Sequence, residues 1–144
     1  MQKVSFQELV ERIVERDPRY RPEAYVCVRE ALGHAQDRFA GGRPEAERHV
    51  TPRQLLEGIR DFALTEYGPM TRSLLREWGV NRSEDFGEIV FNLIELQFLR
   101  KTDSDRREDF AGGYDFDEAF RDPFLPPSVL ARLRRQAPAP SEPA

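Results

Sequence analysis

The chain has 144 residues, a net charge of −4 and one cysteine. These totals predict a single globular domain, exclude an intramolecular disulfide and make a reducing cytoplasm the expected compartment. The sequence has no signal-peptide pattern and no apolar run approaching the roughly 20 residues that cross a bilayer, so we expect no membrane partner.

Charge is divided unevenly along the chain. Residues 121–144 carry four arginines against Asp122 and Glu142, a surplus of two positive charges, which leaves −6 on residues 1–120. A negative body repels the phosphate backbone of nucleic acids. The charge pattern therefore disfavours nucleic acid as a partner and favours protein.

The first two predicted elements are an N-terminal helical pair within residues 5–40. Ser5 and Glu8 have the spacing of a capping box, and apolar residues then recur at helical intervals. Pro22 suits the first position of a second helix, which we expect to end before Gly41-Gly42.

Two more helices follow the glycine break. Thr51 is the predicted cap of the third helix, with Pro52 in its first turn. Gly68-Pro69 separates this helix from a fourth one, which we expect to end at Gly79.

The densest apolar stretch, residues 83–98, predicts the central helix of the core, with Ser83 as its N-cap. A short turn links it to the fourth helix in a helix-turn-helix pattern. Residues 99–102 and the alternating Tyr114-Asp115-Phe116 are predicted to pair as a small β-hairpin. Three helices and a hairpin predict a winged-helix-like unit at residues 51–120.

The predicted fold class is therefore mainly α, with a single compact helical domain at residues 1–120. Residues 121–144 contain six prolines and are predicted to be a flexible, disordered C-terminal tail. Within this tail, residues 128–135 favour a short basic helix.

Several short motifs, each present once along the predicted domain, resemble those of a known protein family. The longest is EDFGEIVFNL at residues 84–93. The others are Asp17-Pro18-Arg19-Tyr20, Ala24-Tyr25-Val26, Glu57-Gly58-Ile59-Arg60-Asp61, Tyr67-Gly68-Pro69-Met70, Trp78-Gly79-Val80, Lys101-Thr102-Asp103 and Tyr114-Asp115-Phe116. Together they resemble the conserved hypothetical proteins of planctomycetes and verrucomicrobia. The resemblance implies a single compact bacterial domain and brings no catalytic residue with it.

No motif predicts catalysis, a metal site or a cofactor. The two histidines, His34 and His49, lack the HExxH or clustered Cys/His spacing of metal ligands. The Gly-Gly pairs lack the neighbouring residues of a phosphate-binding loop. Cys27 lies in an apolar helical setting, which favours a buried, inert thiol.

A small set of polar residues lies among aromatic residues within or near the family-like motifs. It comprises the candidate ligand-binding residues Arg19, Tyr20, His49, Arg60 and Asp61. A structural interpretation stays open for two of them, because Arg19 and Arg60 also have the placement to bridge helix ends to carboxylates such as Asp17 or Asp61.

The outward positions of the central helix are predominantly acidic. They are Glu84, Asp85, Glu88, Asn92 and Glu95. Positive charge raises the affinity of a helix for DNA, and this face is acidic. It therefore favours a protein partner. The candidate partner-binding residues are Glu84, Asp85, Glu88 and Asn92 on the central helix, with Leu130, Leu133 and Arg134 in the tail.

Three functions remain as hypotheses. The preferred one is a non-catalytic protein-interaction or adaptor module. The alternative is a winged-helix DNA-binding regulator, which would use the basic residues of the predicted wing, Arg100, Lys101, Arg106 and Arg107. The second alternative is a small-molecule-binding or metal-dependent enzyme built on Arg19, Arg60 and His49. The identity of the partner and the oligomeric state stay open.

Overall fold

The computed structural model describes residues 5–44, 49–99 and 106–136, and the regular structure in those ranges is helical, without a strand. The prediction of a mainly α fold is confirmed. The helices are α1 (Phe6–Arg16), α2 (Pro22–Ala40), α3 (Pro52–Tyr67), α4 (Thr71–Glu77), α5 (Ser83–Glu95), α6 (Phe116–Phe120) and α7 (Pro127–Gln136).

Local capping explains why α1 and α3 begin where the sequence predicts. The hydroxyl of Ser5 accepts a hydrogen bond from the backbone N–H of Glu8 at 3.2 Å. At α3, the Thr51 hydroxyl accepts from the Gln54 N–H at 3.1 Å, and the Gln54 side chain accepts from the Thr51 N–H at 2.9 Å. Both arrangements satisfy N–H groups that a helix start leaves unpaired.

The most extensive helix–helix contact is between α2 and α3. A β-carbon on Gly58 would lie 2.5 Å from the β-carbon of Ala35, so the two backbones approach at a distance that only glycine permits. The hydrogen bond between Cys27 and Tyr67 joins the start of α2 to the end of α3. The two helices are therefore antiparallel.

The turn between α4 and α5 is docked on the segment that joins α1 to α2. The backbone N–H of Arg21 donates to the carbonyl of Trp78 at 3.0 Å. Gly79 has a φ of 91°, and a β-carbon there would overlap the carbonyl oxygen of Arg19. The α4–α5 turn is therefore held against the α1–α2 connection.

The N-cap of α5 differs from the prediction. The cap is Arg82, and Ser83 is the first helical residue. The carboxylate of Asp85 accepts from the backbone N–H of Arg82 at 3.2 Å and of Asn81 at 2.9 Å. Ser83 is buried, and its hydroxyl accepts from the N–H of Gly113 at 3.0 Å. The prediction for Ser83 is wrong because a tertiary contact occupies its hydroxyl.

The predicted strand at residues 114–116 is also wrong. Asp115 is the N-cap of α6, and its carboxylate accepts from the backbone N–H groups of Asp117 at 2.9 Å and Glu118 at 3.1 Å. Phe116 begins the helix and is buried. Of the proposed partner strand, residues 100–102 lie outside the described residues. The small β-hairpin is therefore not supported.

An aromatic cluster anchors the C-terminal part of the core. The Phe116 ring centre lies 5.6 Å from that of Phe86 and 5.0 Å from that of Phe120. Phe110 is buried directly against Gly87, whose missing side chain makes room for the ring. These contacts join α5, α6 and the turn at Arg107–Phe110 into one apolar core.

The expected basic helix in the tail is present as α7. None of its residues is buried, and none belongs to the apolar core or packs against it. The described part of the predicted tail contains the short turn Asp122–Phe124 and α7, and residues 137–144 lie outside the described residues. Within the described ranges, no helix has the length and apolarity to cross a membrane.

Candidate functional site

A polar network joins the α1–α2 connection to α5; we call it the joint network. Its centre is the carboxylate of Asp17, whose side chain is 19% exposed. Arg19 donates to both carboxylate oxygens, from Nε at 2.8 Å and from Nη2 at 2.7 Å. Asn92 donates from Nδ2 to Asp17 at 3.0 Å and to the Tyr25 hydroxyl at 3.0 Å. Arg19 thus makes the contact that the structural interpretation of the sequence expects.

The pKa values in the joint network follow from these contacts. The Arg19 side chain holds the pKa of Asp17 well below its usual range; burial opposes this shift and the Asn92 hydrogen bond adds to it. Burial raises the pKa of Tyr20, and its hydrogen bond to Asp85 at 2.7 Å adds to the shift. Both groups therefore keep one protonation state across neutral pH.

Glu88 of α5 lies between two arginines from distant parts of the chain. Its carboxylate is 3.2 Å from Nη2 of Arg19 and 3.6 Å from Nε of Arg107. The Arg107 guanidinium also lies over the ring of Phe91, 5.2 Å from its centre. Residues remote in sequence therefore pair with Glu88 in the middle of the face that the sequence predicts to be predominantly acidic.

The predicted partner-binding residues of α5 also have internal partners. Glu84 accepts from the Ser83 hydroxyl at 3.0 Å. Burial opposes ionisation of Glu84, but hydrogen bonds from its own backbone and from Ser83 hold its pKa below the ordinary value. Asp85 and Asn92 are half-buried and bonded within the fold. These side chains position α5, which leaves them little capacity to read an external surface.

The structure does not bring the five predicted ligand-binding residues together in one place. Arg19 and Tyr20 belong to the joint network, whereas Asp61 forms an ion pair with Arg38 of α2. In the part of the chain that the structure describes, no hydrogen bond or ion pair connects Arg19 or Tyr20 to the other three, which are His49, Arg60 and Asp61. The five residues therefore do not form one polar cluster.

A shallow groove of about 450 Å³ runs between α2 and α3; we call it the α2–α3 groove. Gly33 lies in it, and a β-carbon there would meet no atom within 4 Å. The residues that line the groove are Glu30, Gly33, His34, Asp37, Phe62, Thr65 and Glu66. Three of them are carboxylates and none is a lysine or arginine, so the groove is acidic around one aromatic ring.

Cys27 lies on the buried side of α2 and is 1% exposed. Burial raises the pKa of its thiol to about 11, against a smaller lowering by the hydrogen bond with Tyr67. Reactive cysteines require an exposed, electropositive setting, and this one has neither property.

We expect the native Cys27 thiol to resist alkylation at neutral pH, because both the thiolate fraction and the access are small. Iodoacetamide treatment followed by intact-mass measurement should leave the native chain unmodified and add one label after unfolding in guanidinium. Rapid labelling of the folded chain would contradict the burial.

Among the described α-helices, α7 is the one without a buried residue. Val129, Leu130 and Leu133 are half-buried and lie on one side of the helix; we call them the apolar stripe. At 3.6 residues per turn, Arg132 and Arg134 flank the stripe on its two sides. The stripe packs against no residue of the apolar core. The predicted partner-binding residues Leu130, Leu133 and Arg134 therefore lie on one helix, α7.

Within the described ranges, no three histidine, cysteine, aspartate or glutamate side chains are grouped as metal ligands would be. Comparisons of the chain with protein-family models, with curated proteins and with solved structures found no match.

Sequence reasoning missed two features of this surface. The first is the ion pair between Arg107 and Glu88, which only the folding of the chain brings together. The second is the α2–α3 groove. The repeat of Glu30, His34 and Asp37 on one exposed helix face was the available signal, but the sequence does not show which helix pairs with α2.

Proposed function

We propose that the protein is a non-catalytic interaction module that binds a protein partner through α7. The observation that carries this proposal is the half-exposed apolar stripe of α7, whose three aliphatic side chains are not among those that pack on the apolar core. Amphipathic helices commonly bind by laying such a face into an apolar groove. The helical domain then serves as the scaffold that presents α7.

The charge of α7 indicates the chemistry of the partner. Arg132 and Arg134 flank the apolar stripe, and Arg135 lies on the opposite side. An apolar groove with acidic edges would cover the aliphatic side chains and pair both flanking guanidinium groups at once. We therefore expect an acidic protein surface as the partner.

The DNA-binding alternative has less support. A recognition helix needs free polar side chains at its exposed face. In α5, Glu88 pairs with Arg19 and Arg107, and Asn92 bonds to Asp17. The strand at residues 114–116 that a wing would use is a helix start instead.

We expect Leu133→Asp to abolish recovery of the partner from a lysate of the source organism, because a carboxylate in the apolar stripe opposes burial of that face. Ala131→Asp is the matched control, since it adds the same charge on the far side of α7. The free energy of unfolding of both variants should lie within about 0.5 kcal/mol of the wild-type value, because α7 contributes no fully buried residue. Quantitative mass spectrometry of captured proteins measures the outcome. Equal recovery by Leu133→Asp and Ala131→Asp would contradict the proposal.

A further inference from the structure

The α2–α3 groove and α7 have complementary chemistry. The groove presents the carboxylates of Glu30, Asp37 and Glu66 around the ring of Phe62, with no lysine or arginine among its lining residues; Glu30 also pairs with Arg29 at 3.0 Å. The helix presents an aliphatic stripe between two arginines. Opposite charges at the edges and apolar groups in the middle are the arrangement of a specific interface.

The dimensions also match. At a rise of about 1.5 Å per residue, the α2 edge of the groove extends about 10 Å from Glu30 to Asp37. The ten residues of α7 extend about 15 Å, and its apolar stripe about 6 Å. Gly33 leaves space at the middle of the α2 edge, where a larger side chain would stand in the groove.

We propose that α7 of one copy of this chain docks in the α2–α3 groove of a second copy; this inference rests on the proposed function of α7 as a docking helix. Within one chain the two surfaces do not meet, because no residue of α7 lines the groove and none is buried. Each copy offers one helix and one groove, so the contact is heterologous. Successive copies therefore associate head to tail, in rings or open chains.

The contact is small, so association is expected in the micromolar to millimolar range. Sedimentation equilibrium of the full chain should show an average mass that rises with concentration and falls with added salt, because screening weakens the exposed charge pairs. A chain that stays monomeric up to millimolar concentration would overturn the inference.

Gly33 allows a test from the groove side. Gly33→Gln places a long side chain in the groove without disturbing the core, because its β-carbon meets open space. We expect self-association to weaken roughly tenfold or more, whereas the smaller Gly33→Ala should leave it nearly unchanged. Equal association of Gly33→Gln and wild type would place the contact elsewhere.

Charge reversal tests both surfaces together. One variant carries Arg132→Glu and Arg134→Glu, which makes the edges of α7 acidic; the other carries Glu30→Arg and Glu66→Arg, which makes the groove edges basic. Each alone should stay monomeric because its helix and groove then have like charge, and a mixture of the two should associate because every contact pairs opposite charges. Failure of the mixture to associate would overturn the inference.

The outcomes separate this inference from the function on which it rests. If the wild-type chain is monomeric and Leu133→Asp still loses a different captured protein, the docking role of α7 stands and self-docking is wrong. If Leu133→Asp loses no captured protein, including other copies of the chain, both proposals fail.

Discussion

Replacing Gly79 by alanine is expected to lower the free energy of unfolding by about 2–4 kcal/mol. Two costs combine at this position. The φ of 91° is a conformation that residues with a β-carbon rarely adopt. The new methyl group would also overlap the carbonyl oxygen of Arg19, which forces the turn between α4 and α5 away from the α1–α2 connection. The hydrogen bond from Arg21 to Trp78 lies in the same contact and would be strained with it.

Gly33 provides a matched control for this experiment, because the same substitution there should have the opposite sign. Gly33 is an exposed position inside α2, and its β-carbon would meet no atom. Alanine at such a site is expected to raise stability by about 0.5–1 kcal/mol through its higher helix propensity. Urea denaturation followed by circular dichroism measures both changes. A loss at Gly79→Ala no larger than 0.5 kcal/mol, roughly the scale of a neutral surface change, would show that the turn is not held against Arg19.

Replacing Asp17 by asparagine is expected to destabilise the protein by about 1.5–3 kcal/mol at neutral pH, the range for hydrogen bonds to a charged group. The carboxylate of Asp17 accepts from Arg19 and Asn92, and the substitution removes its charge while keeping its size. The destabilised contact is the one that joins the α1–α2 connection to α5.

The cost of Asp17→Asn should depend on pH in a defined direction. Arg19 and Asn92 lower the pKa of Asp17 in the folded chain, so the folded state binds its proton less readily than the unfolded state. Its stabilising contribution is therefore complete above the unfolded pKa of about 4 and decreases as the pH falls below that value. We expect the difference between wild type and Asp17→Asn to be constant from pH 5 to pH 8, roughly the range above that pKa, and to shrink in more acidic buffer.

Glu95→Gln is the matched control for the pH series. Glu95 also joins α5 to α1, through a 3.5 Å ion pair with Arg16, but its side chain is 63% exposed. Exposed pairs contribute little, so this variant should stay within about 0.5 kcal/mol of wild type. A difference for Asp17→Asn that persists unchanged into acid would contradict the assignment of the effect to the Asp17 charge.

The strand predicted at residues 114–116 shows where local pattern fails. Tyr114-Asp115-Phe116 alternates apolar and polar residues, as an edge strand does, but an aspartate followed by an acidic helical turn is equally typical of an N-cap. So short a run carries too little periodicity to separate the two. The burial of Phe116 against Phe86 and Phe120 selects the helix start.

The candidate site shows a different limit. The polar residues of α5 were predicted to face outward, but most of them are half-buried, and their partners within the fold were not predicted. Glu88 meets Arg19 and Arg107, which lie far from it along the chain and from each other. No spacing rule connects such residues, so the net charge of that face depends on how the segments dock.

The sequence by itself predicted α1 to α5 and α7, but not α6, because capping and apolar periodicity act within a few residues. Ser5 and Thr51 set two of these boundaries through hydrogen bonds to residues three positions on, and the proline at the start of α2 sets another through its fixed backbone φ. Only the tertiary structure decided which faces are covered. It buries the Ser83 hydroxyl under Gly113, neutralises Glu88 and leaves the apolar stripe of α7 without a core partner, because each of these outcomes depends on contacts between segments that the chain keeps far apart.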